Sequence, residues 1–233
     1  MRTDFLQADA YIFDIDGTLI NSPDGVHYNA FRAALRQIYG IESDLFEVPV
    51  HGNTDLGILR AVVAKHGRAN DFEVKLPRAL EFIVTEVRRN ASQIRPVLCP
   101  AIKELLQLLR SQGKLMGIAS GNLEEVGWAK LEAAGIRDYF SFGSFSHAAQ
   151  ELRVDIFRHA VKSAQALWNG SRRSGNNSSP AAVFIVGDTP ADVAAARAVG
   201  APVIAVATGI YNVGNLQECK PDLCLDCCER FFD

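Results

Sequence analysis

No apolar run in this chain reaches the length of about 20 uncharged residues that a bilayer-spanning helix needs. The opening segment, MRTDFLQADA, holds no apolar stretch, and the apolar residues after it are interrupted at Asp14. Neither a secretory leader nor a membrane anchor is therefore expected, and a cytoplasmic location is the default expectation. A Lys/Arg-rich block is also missing. The 24 basic residues are outnumbered by 27 acidic ones, for a net charge of −3, which gives no reason to expect nucleic acid or an anionic membrane as partner. Internal repeats are absent. Cysteine is scarce, at five residues (Cys99, Cys219, Cys224, Cys227 and Cys228), and a reducing cytoplasm would leave these as free thiols.

What is present is the composition of a globular enzyme, 48% hydrophobic and 22% charged. At 233 residues the chain suits one core with a smaller insertion. Four apolar runs end in polar turn residues: AYIFDIDGT, KLMGIASGN (114–122), AAVFIVGDTP (181–190) and APVIAVATG (201–209). Short continuous runs of this kind are typical of strands covered on both faces, as in a parallel sheet. Between them lie AIKELLQLLRSQG, LEEVGWAKLEAAG and ADVAAARAVG, each with helical spacing and a terminal glycine. The alternation predicts an α/β fold, a doubly wound parallel sheet with its ligand site at the carboxyl ends of the strands. Residues 22–92 break the rhythm, with helix-like stretches (YNAFRAALRQIYG, TDLGILRAVVAKHG) and no buried strand. They read as a small helical domain inserted after the first strand, so that residues 1–21 and 93–233 form the core. The polar run WNGSRRSGNNSSP (168–180) reads as a loop.

Set side by side, the predicted strand ends carry Asp14 and Asp16, then Ser120, then Asp188 and Asp192. One such Asp is most simply a turn former or helix cap. Several on one sheet edge repel unless a cation or hydrogen bonds compensate. An all-oxygen cluster suits Mg²⁺, which keeps several waters and commonly bridges to substrate phosphate. A carboxylate beside such an ion can attack phosphorus, and a second one two residues along can manage the proton of the leaving oxygen and of the attacking water. The Gly17–Thr18 turn would let backbone N–H groups approach phosphate, and the Ser120-Gly121-Asn122 segment offers a hydroxyl and turn amides.

This constellation resembles the haloacid dehalogenase-like hydrolase superfamily. FDIDGT matches its first motif (DxDGT), the apolar run ending in Ser120 its second, and GDTPAD its fourth (GDxxxD). The resemblance implies a Rossmann-like core and a Mg²⁺-dependent phosphatase of a small phosphorylated metabolite, of the phosphoglycolate-phosphatase-like group. It implies Asp14 as nucleophile, Asp16 as general acid/base and Ser120 as phosphate ligand. Mg²⁺ would be held by the carboxylates of Asp14 and Asp188 and the backbone carbonyl of Asp16, with Asp192 supporting the metal shell. Dehalogenases that resemble this motif lack the second acid, so Asp16 points to phosphoryl transfer.

The third motif departs from the family pattern. Many relatives carry KPxPDIF, whose lysine offsets charge between nucleophile and phosphate; this chain reads ELRVDIF (151–157), with Glu151 at the lysine position and Arg153 as the available cation. The helical insert resembles a C1-type cap, which closes over small metabolites. Its HGNTD segment (51–55) places Asn53 and Thr54 where they could read a substrate or cap the following helix, and His27 and Arg60 are further candidates. A β-phosphoglucomutase-like phosphotransferase, or a binding protein that has lost the chemistry, are the alternatives. A phosphonate hydrolase would need a cap lysine, and Lys65 and Lys75 sit in no recognisable stretch. The C-terminal CLDCCERFFD reads as an apolar segment packing on the sheet rather than as a zinc site, since only Cys219 could complete a ligand set.

Overall fold

In the computed structural model, which describes residues 6–171 and 181–232, the four apolar runs are strands of one sheet. In chain order the elements are β1 (Ala10–Phe13), β2 (Ile20–Asn21), α1 (Val26–Ala34), α2 (Asp55–Lys65), α3 (Phe72–Arg89), β3 (Val97–Leu98), α4 (Ile102–Ser111), β4 (Leu115–Leu123) and α5 (Glu124–Ala133). There follow β5 (Phe142–Ser146), α6 (Arg153–Ser171), β6 (Val183–Gly187), α7 (Pro190–Ala198), β7 (Val203–Val206), α8 (Val213–Glu218) and β8 (Leu223–Leu225). Six strands form a parallel sheet in the order β5-β4-β1-β6-β7-β8. The order reverses at β1, so the crevice at its carboxyl end is the place where an open α/β sheet binds ligands.

Successive strand residues face opposite sides of the sheet. Tyr11 and Phe13 enter one core, with Leu105, Leu106 and Leu109 of α4. Ala10 and Ile12 enter the other, with Ile156, Phe157 and Ala160 of α6. Burying both faces explains why β1 reads as an unbroken apolar run. Each large α4 side chain contributes roughly 1.5–3 kcal/mol by leaving water.

The insert's three helices have an apolar core of their own, including Phe31, Leu35, Leu59, Phe72, Leu76 and Ile83. A two-stranded antiparallel ribbon, β2 with β3, joins its ends to the sheet domain. Leu123 and Val126 of the sheet domain pack into the same cluster.

Three features depart from the sequence-based expectation. Strands β5 and β8 extend the sheet beyond the four expected strands. The 18-residue α3 carries Pro77 in its second turn. Helix α6 runs through Trp168 to Ser171, so the expected loop begins later, and its remainder lies outside the described residues. The cysteines are free thiols, and among the described residues they form no metal-ligand group; Cys228 is buried against the sheet domain's core.

Candidate active site

β1 ends at Phe13, and the next residue, Asp14, is 5% exposed. β6 ends at Gly187, which places Asp188 beside it, and Thr189 caps α7 so that Asp192 lies one turn inside. The cap is reciprocal: Thr189 Oγ1 accepts from the Asp192 N–H at 3.2 Å, and Asp192 Oδ2 accepts from the Thr189 N–H at 2.9 Å and hydroxyl at 2.7 Å. Three carboxylates thereby converge. Oxygen atoms of Asp14, Asp188 and Asp192 lie within 4.8 Å of one another, all buried. Glycine is required at position 17, since its φ is +86° and a Cβ there would lie 2.2 Å from Asp188 Oδ2.

One guanidinium answers these three acids. Arg153, at the start of α6, places Nη2 2.8 Å from Asp14 Oδ2 and 2.5 Å from Asp192 Oδ1, and its Nε is 3.0 Å from the latter. Burial drives the Asp14 carboxyl upward from its usual value; Arg153 draws it down, Asp192 pushes it up, and the result is upward. Asp188 is driven up by burial and by its two acidic neighbours, against the hydrogen bond it accepts from Thr18 Oγ1 at 2.9 Å and the attraction of Arg153. Three acids and one cation leave a charge deficit that a hard divalent cation with oxygen ligands would fill.

Asp16 faces a different neighbourhood. Both its oxygens accept from Lys130 Nζ, at 2.9 and 2.7 Å, and Oδ2 also accepts from Asn122 Nδ2 at 2.7 Å. Lys130 Nζ donates in addition to Asn122 Oδ1 at 2.8 Å, and Asn122 Nδ2 reaches Ser120 Oγ at 2.9 Å. Desolvation pulls the Asp16 carboxyl upward, but Lys130 and the Asn122 hydrogen bond outweigh it and hold it below the usual carboxylate range. Sequence reading missed Lys130. It sits in WAKLEAAG, where one lysine among apolar residues looks like a surface position, yet its side chain is 6% exposed.

The remaining expected residues separate into two groups. Ser120, Gly121 and Asn122 lie at the carboxyl end of β4, beside Asp16. Gly17 and Thr18 form the turn as expected, but their amides are engaged within it: the Gly17 N–H donates to Ile20 O and the Thr18 N–H to Ile15 O. On the cap, Thr54 is 2% exposed; its hydroxyl accepts from the Gly57 N–H and donates to Glu151 O at 2.7 Å. The Asn53 side chain accepts from the Thr54 N–H and donates to Pro49 O. Thr54 therefore holds the start of α2 against the sheet domain and Asn53 fixes the loop locally, where a Cβ on Gly121 would come 2.4 Å from Asn53 O. Arg60 makes a bidentate pair with Glu151, at 2.7 and 2.8 Å, so the residue at the expected lysine position serves as a cap contact. Lys65 and Lys75 bond to Glu47 and Asp71.

A cavity of about 420 Å³ opens over this edge, lined by Asp16, Gly17, Lys130 and Asp188 below and by His27, Tyr28 and His51 above. A larger one, about 560 Å³ between α3 and β5, holds none of the four acids.

Residues 11–206 match the model of a family described as haloacid dehalogenase-like hydrolase. Among curated proteins the chain is 29% identical over 224 residues to a probable phosphatase, IndB, of Dickeya dadantii, covering 92% of this chain and 88% of that one. It is 30% identical to a phosphoglycolate phosphatase of Pasteurella multocida, covering 92% of each. Among solved structures, a β-phosphoglucomutase of Clostridium difficile superposes with a TM-score of 0.65 at 19% identity, over 96% of this chain and 93% of that one, a likeness of fold.

Proposed function

This chain belongs to the haloacid dehalogenase-like hydrolase family, and on that premise we propose that it is a Mg²⁺-dependent phosphatase of a small phosphorylated metabolite, acting through an aspartyl-phosphate intermediate. The observation that carries the reading is the buried triad of Asp14, Asp188 and Asp192 with one guanidinium among them, reached from an open cavity that Asp188 and Asp16 line. Its similarity to proteins named phosphatases supports the same class.

The donor set fits Mg²⁺. The Asp14 and Asp188 carboxylates and the Asp16 carbonyl would hold it, with Asp192 fixed behind them by Thr189 and Arg153. Bound there, the ion supplies charge neutralisation for phosphate oxygens. Asp14 Oδ attacks phosphorus as the bond to the leaving oxygen breaks, and Asp16 delivers the proton that oxygen needs. Water then attacks the phosphorus, the Asp14 Oδ–P bond breaks to release inorganic phosphate and free Asp14, and the water's proton goes to Asp16. Lys130 holds Asp16 ionised, the form that accepts the proton from water; carrying a proton in the first half-reaction requires Asp16 to give up part of that contact. Ser120 and the Gly121 and Asn122 amides are assigned to phosphate, and Arg153 to the charge offset usually made by a lysine. Residues 22–92 act as the cap over the core of 1–21 and 93–233, excluding water during transfer.

The test is hydrolysis of a generic aryl phosphate with and without Mg²⁺, beside Asp14→Asn. Turnover should need Mg²⁺ and fall by on the order of 10⁴-fold or more in the variant. Full activity of Asp14→Asn, or turnover indifferent to Mg²⁺, would reject the mechanism.

A further inference from the structure

A second chamber adjoins the cavity over the acids, and His27, Tyr28 and His51 line both. The second chamber has a volume of about 260 Å³, lies between α1, α2 and the loop joining them, and is walled by Phe31, Leu45, Phe46, Val50 and Ile58. Alone it is smaller than the roughly 300–1,000 Å³ of ordinary small-molecule sites; joined to the phosphate-side cavity it extends the site by an apolar compartment.

Its charge is as informative as its shape. Among the described residues no lysine or arginine lines the chamber, and the one carboxylate there, Asp55, is 5% exposed. Asp55 Oδ2 accepts from the Leu123 N–H at 2.8 Å and lies 3.1 Å from His27 Nε2. A leaving group bearing a carboxylate would find no lysine or arginine in the chamber and would leave its apolar walls uncovered. The lip is built for an apolar contact. Phe46 is 78% exposed, with its ring 6.2 Å from that of Tyr28. The preceding Leu45 is buried with φ at +64°, a strained backbone for a leucine, held by the Ser43 hydroxyl on its N–H and by the Tyr28 hydroxyl on Asp44 O.

We propose that the alcohol released by this enzyme carries an uncharged apolar body, branched aliphatic or aromatic, which seats in the chamber between α1 and α2 while the phosphate lies at Asp14. The inference rests on the phosphatase reading above and narrows it to a substrate class. Tyr28, Phe46 and Val50 are then specificity residues, and His27 meets the polar link between the two halves of the substrate.

The experiment compares kcat/KM, with Mg²⁺ present, for ethyl, butyl, 3-methylbutyl and 2-phenylethyl phosphates, primary esters of similar intrinsic reactivity, with 2-phosphoglycolate in the same panel. Each methylene buried in the chamber should raise kcat/KM by roughly fourfold, and 2-phenylethyl phosphate should exceed ethyl phosphate by about 10- to 100-fold. Phe46→Ala, at an exposed position, and Val50→Trp, which fills the chamber, should both lower the 2-phenylethyl to ethyl ratio. A flat or falling series, or 2-phosphoglycolate as the best substrate, overturns the apolar assignment and leaves the phosphatase reading standing. An unchanged ratio in Phe46→Ala overturns it equally. If no ester in the panel is turned over in a Mg²⁺-dependent way, both readings fall.

Discussion

The two walls of the cleft are made of opposite material. The core wall is charge: the buried Asp14, Asp188 and Asp192 around Arg153, and the partly exposed Asp16 against a buried Lys130, each group fixed by named hydrogen bonds. The cap wall is rings and aliphatic side chains with two histidines at their edge. Buried charges in low dielectric interact strongly and must be matched to within an ångström, so the core wall tolerates little change. Apolar contact is non-directional, and an apolar wall can be reshaped at modest cost. On the proposed reading the reaction lies on the core side and the choice of substrate on the cap side, and the contrast can be broken from either.

The harshest challenge to the core wall is Arg153→Met. Removing the one cation leaves buried carboxylates uncompensated, for an expected loss of about 3–5 kcal/mol in the metal-free protein. Urea unfolding should show a lower midpoint at unchanged slope, and added Mg²⁺ should restore part of the loss. A variant as stable as the parent would mean that the acids are not charged together in the fold.

Lys130→Met should be gentler on the fold and sharper on catalysis. Without the ammonium, Asp16 loses the partner that holds it ionised and in place, and kcat is expected to fall about 10²-fold with KM little changed. The pH profile supplies the structural control. Its acid limb should move to higher pH, because Asp16 is held low by Lys130 in the parent. A uniform loss at every pH would assign Lys130 to packing alone.

Metal and pH probe the same wall without mutation. Asp14 and Asp188 are raised above the usual carboxylate range near pH 4. Between that value and their folded values the native state binds more protons than the unfolded chain, so metal-free stability should fall as pH rises from 5 toward 8. Mg²⁺ held by these acids would bind their ionised form, and the melting-temperature gain it gives should therefore grow over the same interval. A gain larger at pH 5 than at pH 8 would contradict the assignment of these acids to the ion.

The same contrast explains what could be read from the sequence. β1, β4, β6 and β7 were legible because strands buried on both faces leave continuous apolar runs, and Asp14, Asp16, Asp188 and Asp192 were legible because acids at the ends of such runs are conspicuous. β5 was not, since Phe142–Ser146 alternates with glycine and serine and matches no buried-strand pattern. Lys130 was hidden because its burial comes from the placement of α5 against β4, which no local spacing records. Asn53 and Thr54 stand out as polar residues on a loop, but whether such a loop faces substrate or neighbouring backbone depends on docking. The chamber was the least visible feature, because Tyr28, Phe31, Leu45 and Val50 are spread over 23 positions and read individually as cap core.

The mildest test is at the seam where the walls meet. Arg60 reaches from α2 to Glu151 with two hydrogen bonds and to Glu73 at 2.8 Å, with its guanidinium 4.1 Å from the Phe72 ring centre. The geometry is good, but the Arg60 side chain is 44% exposed, and solvent screening limits such pairs to about 0.2–1 kcal/mol. Thr54, Asp55 and Gly121 hold the same seam with buried contacts that Arg60→Ala leaves in place. The variant should therefore lose at most about 1 kcal/mol. KM should shift by less than about fivefold, through a cap that closes less firmly. Raising the salt to 0.5 M should shrink the difference from the parent, since exposed pairs are screened at that ionic strength. A loss as large as that expected for Arg153→Met would mean that the cap is held by charge as tightly as the core is, and the distinction between the two walls would not survive it.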